Sequence, residues 1–372
     1  SMNPWVVKEL AADKIVLERN PYFWAVDTMG NQLPYIDQHL QFFTGAGQAA
    51  EMKLLAGELD YADIDVGEIP IYKPEEAKAG FRVITTYMGN ELAWPNVVPN
   101  LSLQDPVLGP IFRDVRFRRA LSLAIDRQEI NDFYFGGLGV PCQNTMNRDN
   151  PLYKPEWGQA WAEYDVDEAN RLLDEMNLPW DAARQFRLRP DGQRLSIIFE
   201  LEEWSLESCE PIKKQWEKIG VEVQWKVQGE AVYFERIKTN EGHMFSWTTW
   251  ANNSEELYAK EGAMTPGSID TPWGVPWEEW YQSNGQAGLE PPDWAKQYFE
   301  YRQKWMHARN EQEYIRWGQA LFDWVAEYIP VIGTVGYPPT PVVVSNRLRN
   351  VMPRNIGMYE TELWMLQLSI AP

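Results

Sequence analysis

Residues 195–225, LSIIFELEEWSLESCEPIKKQWEKIGVEVQW, decide the fold of this chain. The stretch begins with an apolar strand candidate at residues 195–201, and residues 221–225 alternate apolar and polar side chains as a strand does. Between them the pattern predicts a helix at residues 207–219, because Gly220 follows as a helix-ending residue. Strand, helix, glycine and strand in this order are typical of a βαβ unit, so the sequence predicts an α/β fold.

Helical and strand patterns continue on both sides of this unit. Apolar residues at helical spacing predict further helices at residues 47–57, 115–132, 167–176, 294–308 and 311–328. Two short strands around a polar turn are predicted within residues 5–17, and another strand at residues 61–64. This alternation favours mixed sheets flanked by helices.

The helix predicted at residues 115–132 carries three arginines near its start. Asp114 is expected to cap the first turn, since an aspartate at that position accepts hydrogen bonds from free backbone N–H groups. We expect Arg116, Arg118 and Arg119 to form a solvated helix face rather than an anion site.

Charge and aromatic content constrain the function. The 372 residues carry a formal net charge of −20, whereas a nucleic-acid surface or an anionic-membrane surface needs a basic face. The unusual part of the composition is its 19 tryptophans, 17 tyrosines and 14 phenylalanines. We therefore expect no nucleic-acid partner, and the aromatic residues need an explanation.

Residues that hold metals or nucleotides are sparse. The three histidines, His39, His243 and His307, are far apart in the sequence, and none belongs to an HExxH pattern. The sequence contains no P-loop, no GxGxxG after a strand and no GxSxG elbow. It therefore predicts no metal, no nucleotide and no other cofactor, and no apolar run approaches the roughly 18 residues of a membrane-spanning helix.

The sequence around the two cysteines, Cys142 and Cys209, does not determine how far apart they lie in the folded chain. A disulfide bond requires the two Cα atoms to lie within about 7 Å of each other. We expect two thiols that are not bridged.

Several tryptophans lie among polar residues where strands end. Trp204 follows the strand at residues 195–201, and residues 243–250, HMFSWTTW, contain Trp247 and Trp250. In open α/β sheets ligands bind beyond the carboxyl ends of the strands, where aromatic rings and amides suit an extended amphipathic ligand. The predicted ligand-contacting residues are Trp204, Trp247, Trp250, Asn252 and Asn253. Core packing is the competing interpretation for each tryptophan, and also for Trp273, Trp277 and Trp280.

Carboxylate pairs leave an enzymatic alternative open. Glycoside hydrolysis needs two carboxylates across a sugar, and Glu202 with Glu203 or Glu278 with Glu279 offers such a pair. In a chain with 54 acidic residues such pairs arise freely, so we expect solvated carboxylates and predict no catalytic residue. A carbohydrate-active hydrolase with a Trp-rich cleft stays the alternative.

Five segments together resemble a known family. Residues 113–127, RDVRFRRALSLAIDR, preceded by DPVL at 105–108, resemble the signature of the family 5 extracellular solute-binding proteins. Those proteins are the oligopeptide, dipeptide and oligosaccharide receptors of ABC importers. The other segments occur in the family's order: KIVLERNPYFW at 14–24, AGELD at 56–60, YD at 164–165 ahead of ANRLL at 169–173, and WEKIGV at 216–221.

The resemblance implies a periplasmic-binding-protein-like α/β fold, type II and cluster C-like, in which two lobes close around a ligand. It assigns residues 92–334 to a complete second lobe. Residues 1–91 and 335–372 are then a partial first lobe whose two segments pack on each other. In such proteins the motif at residues 14–24 lies well inside the mature chain, so this sequence is expected to be the C-terminal part of a longer protein.

The resemblance also bears on the ligand. In peptide-binding members a tryptophan, followed three positions later by an aspartate, holds the amino terminus of the peptide. The corresponding stretch here is Trp250-Ala251-Asn252-Asn253, with an amide where the aspartate is expected. Because an amide does not neutralise an ammonium as a carboxylate does, the departure favours a neutral oligosaccharide over an oligopeptide.

The function implied by the resemblance is that of a receptor without catalytic activity. It would capture an oligosaccharide or oligopeptide in an interlobe cleft and deliver it to the membrane permease subunits of an ABC importer. A monomer in the periplasm or outside the cell is implied, with attachment to the cell surface left open. A structural or adhesion module has no support from these motifs.

Replacement of Trp250 by alanine tests the predicted ligand contacts. In the full-length protein the change is expected to weaken ligand binding by about 1–3 kcal/mol, as for other aromatic anchors. Its cost in stability should stay below the roughly 3–5 kcal/mol of a truncated core tryptophan. Calorimetric titration and urea unfolding measure the two quantities, and a variant that unfolds or keeps full affinity would contradict the prediction.

Overall fold

The computed structural model describes residues 3–43, 48–87, 93–146, 148, 150–247, 265–268, 271–337, 339–351 and 368–370. The chain divides into two compact units. Ser1–Met88 and Pro339–Pro372 form the terminal unit, and Gly89–Pro338 forms the central unit. The assignment of lobes at residues 1–91, 92–334 and 335–372 stays a prediction.

Strands and helices alternate along the described residues. The strands are β1 (Trp5–Leu10), β2 (Lys14–Arg19), β3 (Gln38–Phe42), β4 (Tyr61–Asp63), β5 (Phe81–Tyr87), β6 (Val98–Pro99), β7 (Val140–Pro141), β8 (Ser196–Leu201), β9 (Glu222–Val227), β10 (Met244–Phe245), β11 (Val335–Gly336), β12 (Pro339–Ser345), β13 (Leu348–Arg349) and β14 (Ser369–Ile370). The helices are α1 (Gln48–Leu55), α2 (Ile69–Tyr72), α3 (Glu76–Ala79), α4 (Leu108–Arg113), α5 (Val115–Leu123), α6 (Arg127–Phe135), α7 (Pro155–Gln159), α8 (Val166–Glu175), α9 (Glu203–Glu217), α10 (Glu230–Lys238), α11 (Val275–Gln282), α12 (Asp293–Met306) and α13 (Glu311–Tyr328). Short 3₁₀ helices lie at Val66–Glu68 and Lys73–Glu75.

The terminal unit joins both ends of the chain in one sheet. Strand β12 lies between β4 and β5 and pairs antiparallel with both, while β1, β2 and β3 form a separate antiparallel sheet. Side chains alternate across β12, so Val343 packs in a core with Leu54 and Phe81, whereas Val342 and Val344 pack in a second core. The two segments expected to pack on each other are therefore hydrogen-bonded neighbours.

The central unit is built on a four-stranded sheet with the order β6, β10, β8, β9. Strand β8 pairs in parallel with both β9 and β10, and β6 pairs antiparallel with β10. Ile197, Phe199 and Leu201 of β8 are fully buried. Helix α9 connects β8 to β9, so the predicted βαβ unit is confirmed.

Helix α9 begins four residues earlier than predicted, at Glu203 instead of residue 207. Strand β8 ends at Leu201, and Glu202 alone, in an extended conformation, separates strand from helix. The prediction placed the start of this helix too late because the first turn carries polar residues on its buried side, and hydrophobic spacing does not detect such a turn. Trp204 consequently lies in the first turn of a helix and not in a loop.

The helix predicted over residues 115–132 consists of two helices, α5 and α6. Asp114 caps α5 as expected, with its side chain accepting a hydrogen bond from the backbone N–H of Arg116 at 2.9 Å. The break occurs because Asp126 starts a new helix and accepts a hydrogen bond from the backbone N–H of Glu129. The apolar stripe continues through the break, so hydrophobic spacing alone did not reveal it.

The solvated face expected for the arginines of α5 is wrong for Arg118. Its guanidinium is fully buried and donates hydrogen bonds to the carbonyl oxygens of Phe112, Arg113 and Tyr328. Burial lowers the pKa of Arg118. Arg119 is partly shielded as well, since its guanidinium lies 4.1 Å from the centre of the Trp161 ring.

Arg127 joins three separate segments of the central unit. It is 2% exposed, and its guanidinium donates hydrogen bonds of 3.0 Å to the carbonyl oxygens of Ser122, Ala162 and Gly333. A buried carbonyl that loses its donor keeps the cost of its lost hydration. The side chain therefore holds the end of α5 against two distant loops.

Replacement of Arg127 by methionine should lower the free energy of unfolding by about 3 kcal/mol or more, because two buried carbonyls and one partly buried carbonyl lose a donor. Arg171→Met is the matched control, since Arg171 is an exposed residue that pairs with Glu168 and Glu175 on α8. That control should cost about 1 kcal/mol or less. Urea unfolding measures the stability of both variants, and equal losses would show that the buried contacts of Arg127 add nothing to the free energy of unfolding.

Candidate ligand-binding site

One edge of the central sheet collects aromatic and polar residues from separate segments. Glu202 and Trp204 follow the carboxyl end of β8, and Trp247 follows the end of β10, which runs parallel to β8. Strand β6 runs in the opposite direction, so Trp94 and Asn96, which precede it, lie at the same edge. The carboxyl ends of parallel strands are where α/β sheets bind ligands.

Five rings form a continuous row at this edge, which we call the aromatic row: Tyr134, Trp94, Trp204, Trp247 and Tyr233. Trp94 stacks on Tyr134, with ring centres 6.2 Å apart, and meets the Trp204 ring edge to face at 5.0 Å. Trp204 meets Trp247 edge to face at 5.3 Å, and Trp247 stacks on Tyr233 at 5.3 Å. Both geometries are favourable for aromatic pairs, so each ring supports the orientation of the next.

Hydrogen bonds to neighbouring elements hold the row in place. The indole N–H of Trp94 donates to the hydroxyl of Ser208 on α9 at 3.1 Å. The backbone N–H of Trp247 donates to the side-chain oxygen of Asn96 at 3.0 Å. The hydroxyl of Tyr233 donates to the carbonyl oxygen of Ser246 at 3.1 Å. The aromatic row is therefore fixed by α9, by α10 and by the segment before β6.

Trp204 is the most exposed ring of the aromatic row. Trp204 is 43% exposed, whereas Trp94, Tyr134 and Trp247 are half-buried and Tyr233 is buried. The indole N–H of Trp204 donates to Oε2 of Glu202 at 2.5 Å. The carboxylate thus orients a ring that keeps a large open surface.

Two of the five predicted ligand contacts, Trp204 and Trp247, are neighbours in the aromatic row. Trp250, Asn252 and Asn253 lie outside the described residues. The orientation of this edge towards an interlobe cleft, and the ligand contacts themselves, stay predictions.

The packing interpretation is correct for two other tryptophans. Trp273 and Trp277 are buried in the hydrophobic core of the central unit. Trp273 contacts the rings of Tyr298 and Trp324 at 5.2 and 5.9 Å. Much of the aromatic excess in the composition therefore belongs to the core.

Sequence reasoning missed Trp94, Tyr134 and Tyr233. Trp94 directly precedes residues 95–110, whose prolines are typical of a connecting segment and do not indicate a site. Tyr134 and Tyr233 belong to helices and have no local signal that separates them from core aromatics. Their membership of the aromatic row depends on which strands and helices become neighbours, and Trp94 alone of the three lies shortly before a strand in the structure, β6.

The carboxylate pairs do not share one environment. Glu278 is buried, and its two oxygens accept hydrogen bonds from the Arg302 guanidinium at 2.6 and 2.8 Å, so the expected solvation is wrong for this residue. Glu203 and Glu279 are exposed. Glu202 faces the indole of Trp204.

The described part of the chain offers few side chains suited to metal binding or thiol chemistry. No group of three or more His, Cys, Asp or Glu residues among the described residues has the arrangement of a metal site. Cys142 and Cys209 are both buried without a disulfide between them, and burial raises the pKa of these thiols to about 11 and about 12. None of the described helices is both long and apolar enough to cross a membrane.

Family comparison agrees with the sequence motifs. Residues 1–262 match the model of the bacterial extracellular solute-binding proteins, family 5 (middle region). The match covers more than half of the 372 residues, so the chain belongs to this family. The resemblance inferred from the motif at residues 113–127 is thereby confirmed.

Individual relatives extend this likeness over nearly the whole chain. The periplasmic α-galactoside-binding protein of Rhizobium meliloti strain 1021 is 23% identical over 379 residues, which cover 95% of this chain and 52% of that protein. A solved structure of an oligopeptide-binding protein, OppA, is 30% identical with a TM-score of 0.76, covering 99% of this chain and 62% of the other. The periplasmic binding protein MelB of Agrobacterium fabrum C58, solved with stachyose, is 18% identical with a TM-score of 0.73, covering 100% and 57%.

These comparisons confirm the predicted fold class, an α/β periplasmic-binding-protein-like fold with sheets flanked by helices. The chain spans about half the length of the α-galactoside-binding relative. The relatives are solute-binding proteins by name.

Truncation of Trp204 and of Trp273 should separate a surface ring from a core ring. Trp273→Ala is expected to lower the free energy of unfolding by about 3–5 kcal/mol, since Trp273 is fully buried. Trp204→Ala should cost about 1–2 kcal/mol, because the 43% exposed ring loses only part of its packing. Urea unfolding of both variants measures the difference. Equal losses of unfolding free energy would show that Trp204 contributes as much to stability as a core tryptophan.

Proposed function

We propose that this chain is part of a solute-binding receptor of an ABC importer, without catalytic activity, and that its ligand is an oligosaccharide. The observation that carries the proposal is the aromatic row, with Trp204 open to solvent, at the carboxyl edge of the parallel strands. Membership of a family of solute-binding proteins supports the same class of function.

The geometry of the aromatic row supports an extended ligand with apolar faces. Sugar rings present flat C–H faces, which pack on indole rings, and hydroxyl edges, which need hydrogen-bond partners. Glu202 beside Trp204 supplies carboxylate oxygens at the same place. The α-galactoside relative supports an oligosaccharide as ligand as well.

An oligopeptide is the second candidate ligand. It is supported by the likeness to OppA, at 30% identity. Against it stands the amide at Asn253, where the peptide-binding members have an aspartate for the peptide's ammonium. We therefore place the oligosaccharide first.

A carbohydrate-active hydrolase would use the same edge of the sheet with two carboxylates. The buried pairing of Glu278 with Arg302 disfavours that carboxylate as an acid or base, since both of its oxygens are occupied. Glu202 also has one oxygen occupied by Trp204. These contacts favour a receptor over a hydrolase.

The partners and location belong to the same proposal. A receptor of this class works as a monomer in the periplasm or outside the cell, and it delivers its ligand to the membrane permease subunits of the importer. The family's description as extracellular and the periplasmic relative support this location.

Thermal unfolding of the full-length protein with stachyose tests the proposal. A ligand that binds only the native state, present at 100 times its Kd, stabilises the protein by about 2.7 kcal/mol, so the Tm should rise with stachyose concentration. Trialanine at the same concentrations should give a smaller rise in Tm.

Trp204→Ala should weaken stachyose binding by about 1–3 kcal/mol. Trp317→Ala, which truncates a half-buried ring outside the aromatic row, should leave stachyose binding unchanged.

Two outcomes would contradict the proposal. Release of reducing sugar from stachyose by the purified protein would favour the hydrolase. A rise in Tm with trialanine and none with stachyose would make the oligopeptide the ligand.

A further inference from the structure

Strand β10, which leads into Trp247 of the aromatic row, is only two residues long, Met244–Phe245. It lies between β6 and β8 in the central sheet. A strand of this length contributes few backbone hydrogen bonds to its neighbours. The position of Trp247, two residues beyond the end of β10, therefore depends on further contacts that hold this strand in the sheet.

His243, the residue before β10, contacts both neighbouring strands. Its backbone carbonyl oxygen accepts a hydrogen bond from the backbone N–H of Asn100, directly after β6, at 2.9 Å. Its imidazole Nδ1 accepts a hydrogen bond from the backbone N–H of Ile198 in β8 at 3.2 Å. The side chain thus serves as an acceptor for β8 at a point where β10 has not yet begun.

This contact requires a neutral imidazole. Nδ1 accepts the N–H of Ile198 only while it carries no proton, so the proton of the ring belongs on Nε2. A second proton on Nδ1 would place two N–H groups against each other and leave the amide of Ile198 without its acceptor. The ring of Phe112, edge to face at 6.2 Å, packs against the imidazole as well.

The charged groups that face the imidazole are Asp105, Glu200, Arg189 and Arg236. Burial lowers the pKa of His243, while the carboxylates raise it and the guanidiniums lower it. The unfolded chain therefore binds a proton at this residue at a higher pH than the folded chain does. Stability consequently falls as the pH decreases below about 6.5, the ordinary pKa of histidine.

We propose that His243 is a positioning residue for the aromatic row: its neutral imidazole holds β10 against β8 and keeps Trp247 in place, so that ligand binding weakens as the pH falls. This inference rests on the proposed function. The residues between His243 and Trp247 are Met244, Phe245 and Ser246, and all three are buried. A displacement at His243 is therefore transmitted along a closely packed segment.

The expected effect on binding is a partial loss. The backbone N–H of Trp247 donates to the side-chain oxygen of Asn96, and this contact does not depend on His243. Protonation of His243 should therefore loosen one end of the aromatic row and leave its other contacts in place.

Asparagine at position 243 provides the test, because its side-chain oxygen replaces Nδ1 as an acceptor and does not titrate. The affinity of the full-length wild type for stachyose should fall about 3-fold or more when the pH is lowered from about 7.5 to about 5. His243→Asn should bind within about 3-fold of the wild type at the higher pH and show no such fall. His243→Ala, which has no acceptor, should bind about 10-fold more weakly than the wild type at the higher pH. Isothermal titration calorimetry measures the affinities.

His307→Asn is the matched control. His307 is exposed at the end of α12, and its Nδ1 contacts the carbonyl oxygen of Gln303 in the same helix. This variant should keep the pH dependence of the wild type. Circular dichroism at both pH values checks that each variant is folded. If His243→Ala does not fold, the comparison of the wild type with His243→Asn decides the proposal by itself.

Thermal unfolding gives a second measurement of the same contact. The Tm of the wild type should fall further between the two pH values than the Tm of His243→Asn, by about 2 °C or more. If His243→Asn loses this difference in Tm but keeps the pH dependence of stachyose binding, His243 has a purely structural role and the positioning proposal is wrong.

The remaining outcomes distinguish this inference from the proposed function. If stachyose binds with equal pH dependence to the wild type and to His243→Asn, or if His243→Asn binds as weakly as His243→Ala, the role of His243 is wrong and the receptor function stands. If the wild type binds trialanine but not stachyose, the oligosaccharide is wrong, and the same pH comparison with trialanine supports or overturns the role of His243. If neither probe binds the wild type, the proposed function and the positioning role are both wrong.

Discussion

The parallel pairing of β8 with both of its neighbours is the constraint on which the central unit depends. A strand with parallel neighbours needs crossover connections, and helices of the crossovers cover the faces of the sheet. Ile197, Phe199 and Leu201 are accordingly fully buried, and so is Glu200, whose carboxylate is held by the Arg236 guanidinium. Because β8 and β10 end at the same edge, the residues that follow them meet there, and this meeting creates the aromatic row.

Aromatic residues have two roles in this chain. Trp273 and its neighbours fill the core between helices α11, α12 and α13, where large rings bury much apolar surface. Trp204 makes similar ring contacts but keeps 43% of its surface open. The composition shows only that tryptophan is in excess. The burial of each residue in the structure distinguishes the core rings from the partly exposed ring.

Buried arginines at helix ends are a second structural theme. Helices leave their last carbonyl groups without intrahelical donors, and a buried helix end must find donors elsewhere. Arg118 donates to Tyr328 at the end of α13, Arg127 donates to Ser122 in the last turn of α5, and Arg187 donates to Ile219 just after α9. A guanidinium suits this task because it carries five donors in a fixed geometry. These side chains therefore link helix ends to distant segments, while their apolar stems lie in the core.

Local sequence signals were sufficient to predict those helices and strands whose pattern is contained within a short stretch of residues. The βαβ unit at residues 195–225 followed from strand alternation, helical spacing and Gly220, whose φ of 78° is easily adopted by glycine. The family followed from motifs that are equally local, such as residues 113–127. The same reasoning placed Trp204 and Trp247 at one edge of the sheet, because both lie just beyond strand ends.

Tertiary structure alone decided how distant segments meet. The indole of Trp94 in the aromatic row donates a hydrogen bond to Ser208, 114 residues away, and the guanidinium of Arg127 donates to the carbonyl oxygen of Gly333, 206 residues away. Glu202 turned towards Trp204 instead of capping α9, although either orientation fits the sequence. Hydrophobic periodicity and capping preferences describe neighbours along the chain, whereas these contacts depend on which elements pack side by side, and that is settled only when the whole sheet forms.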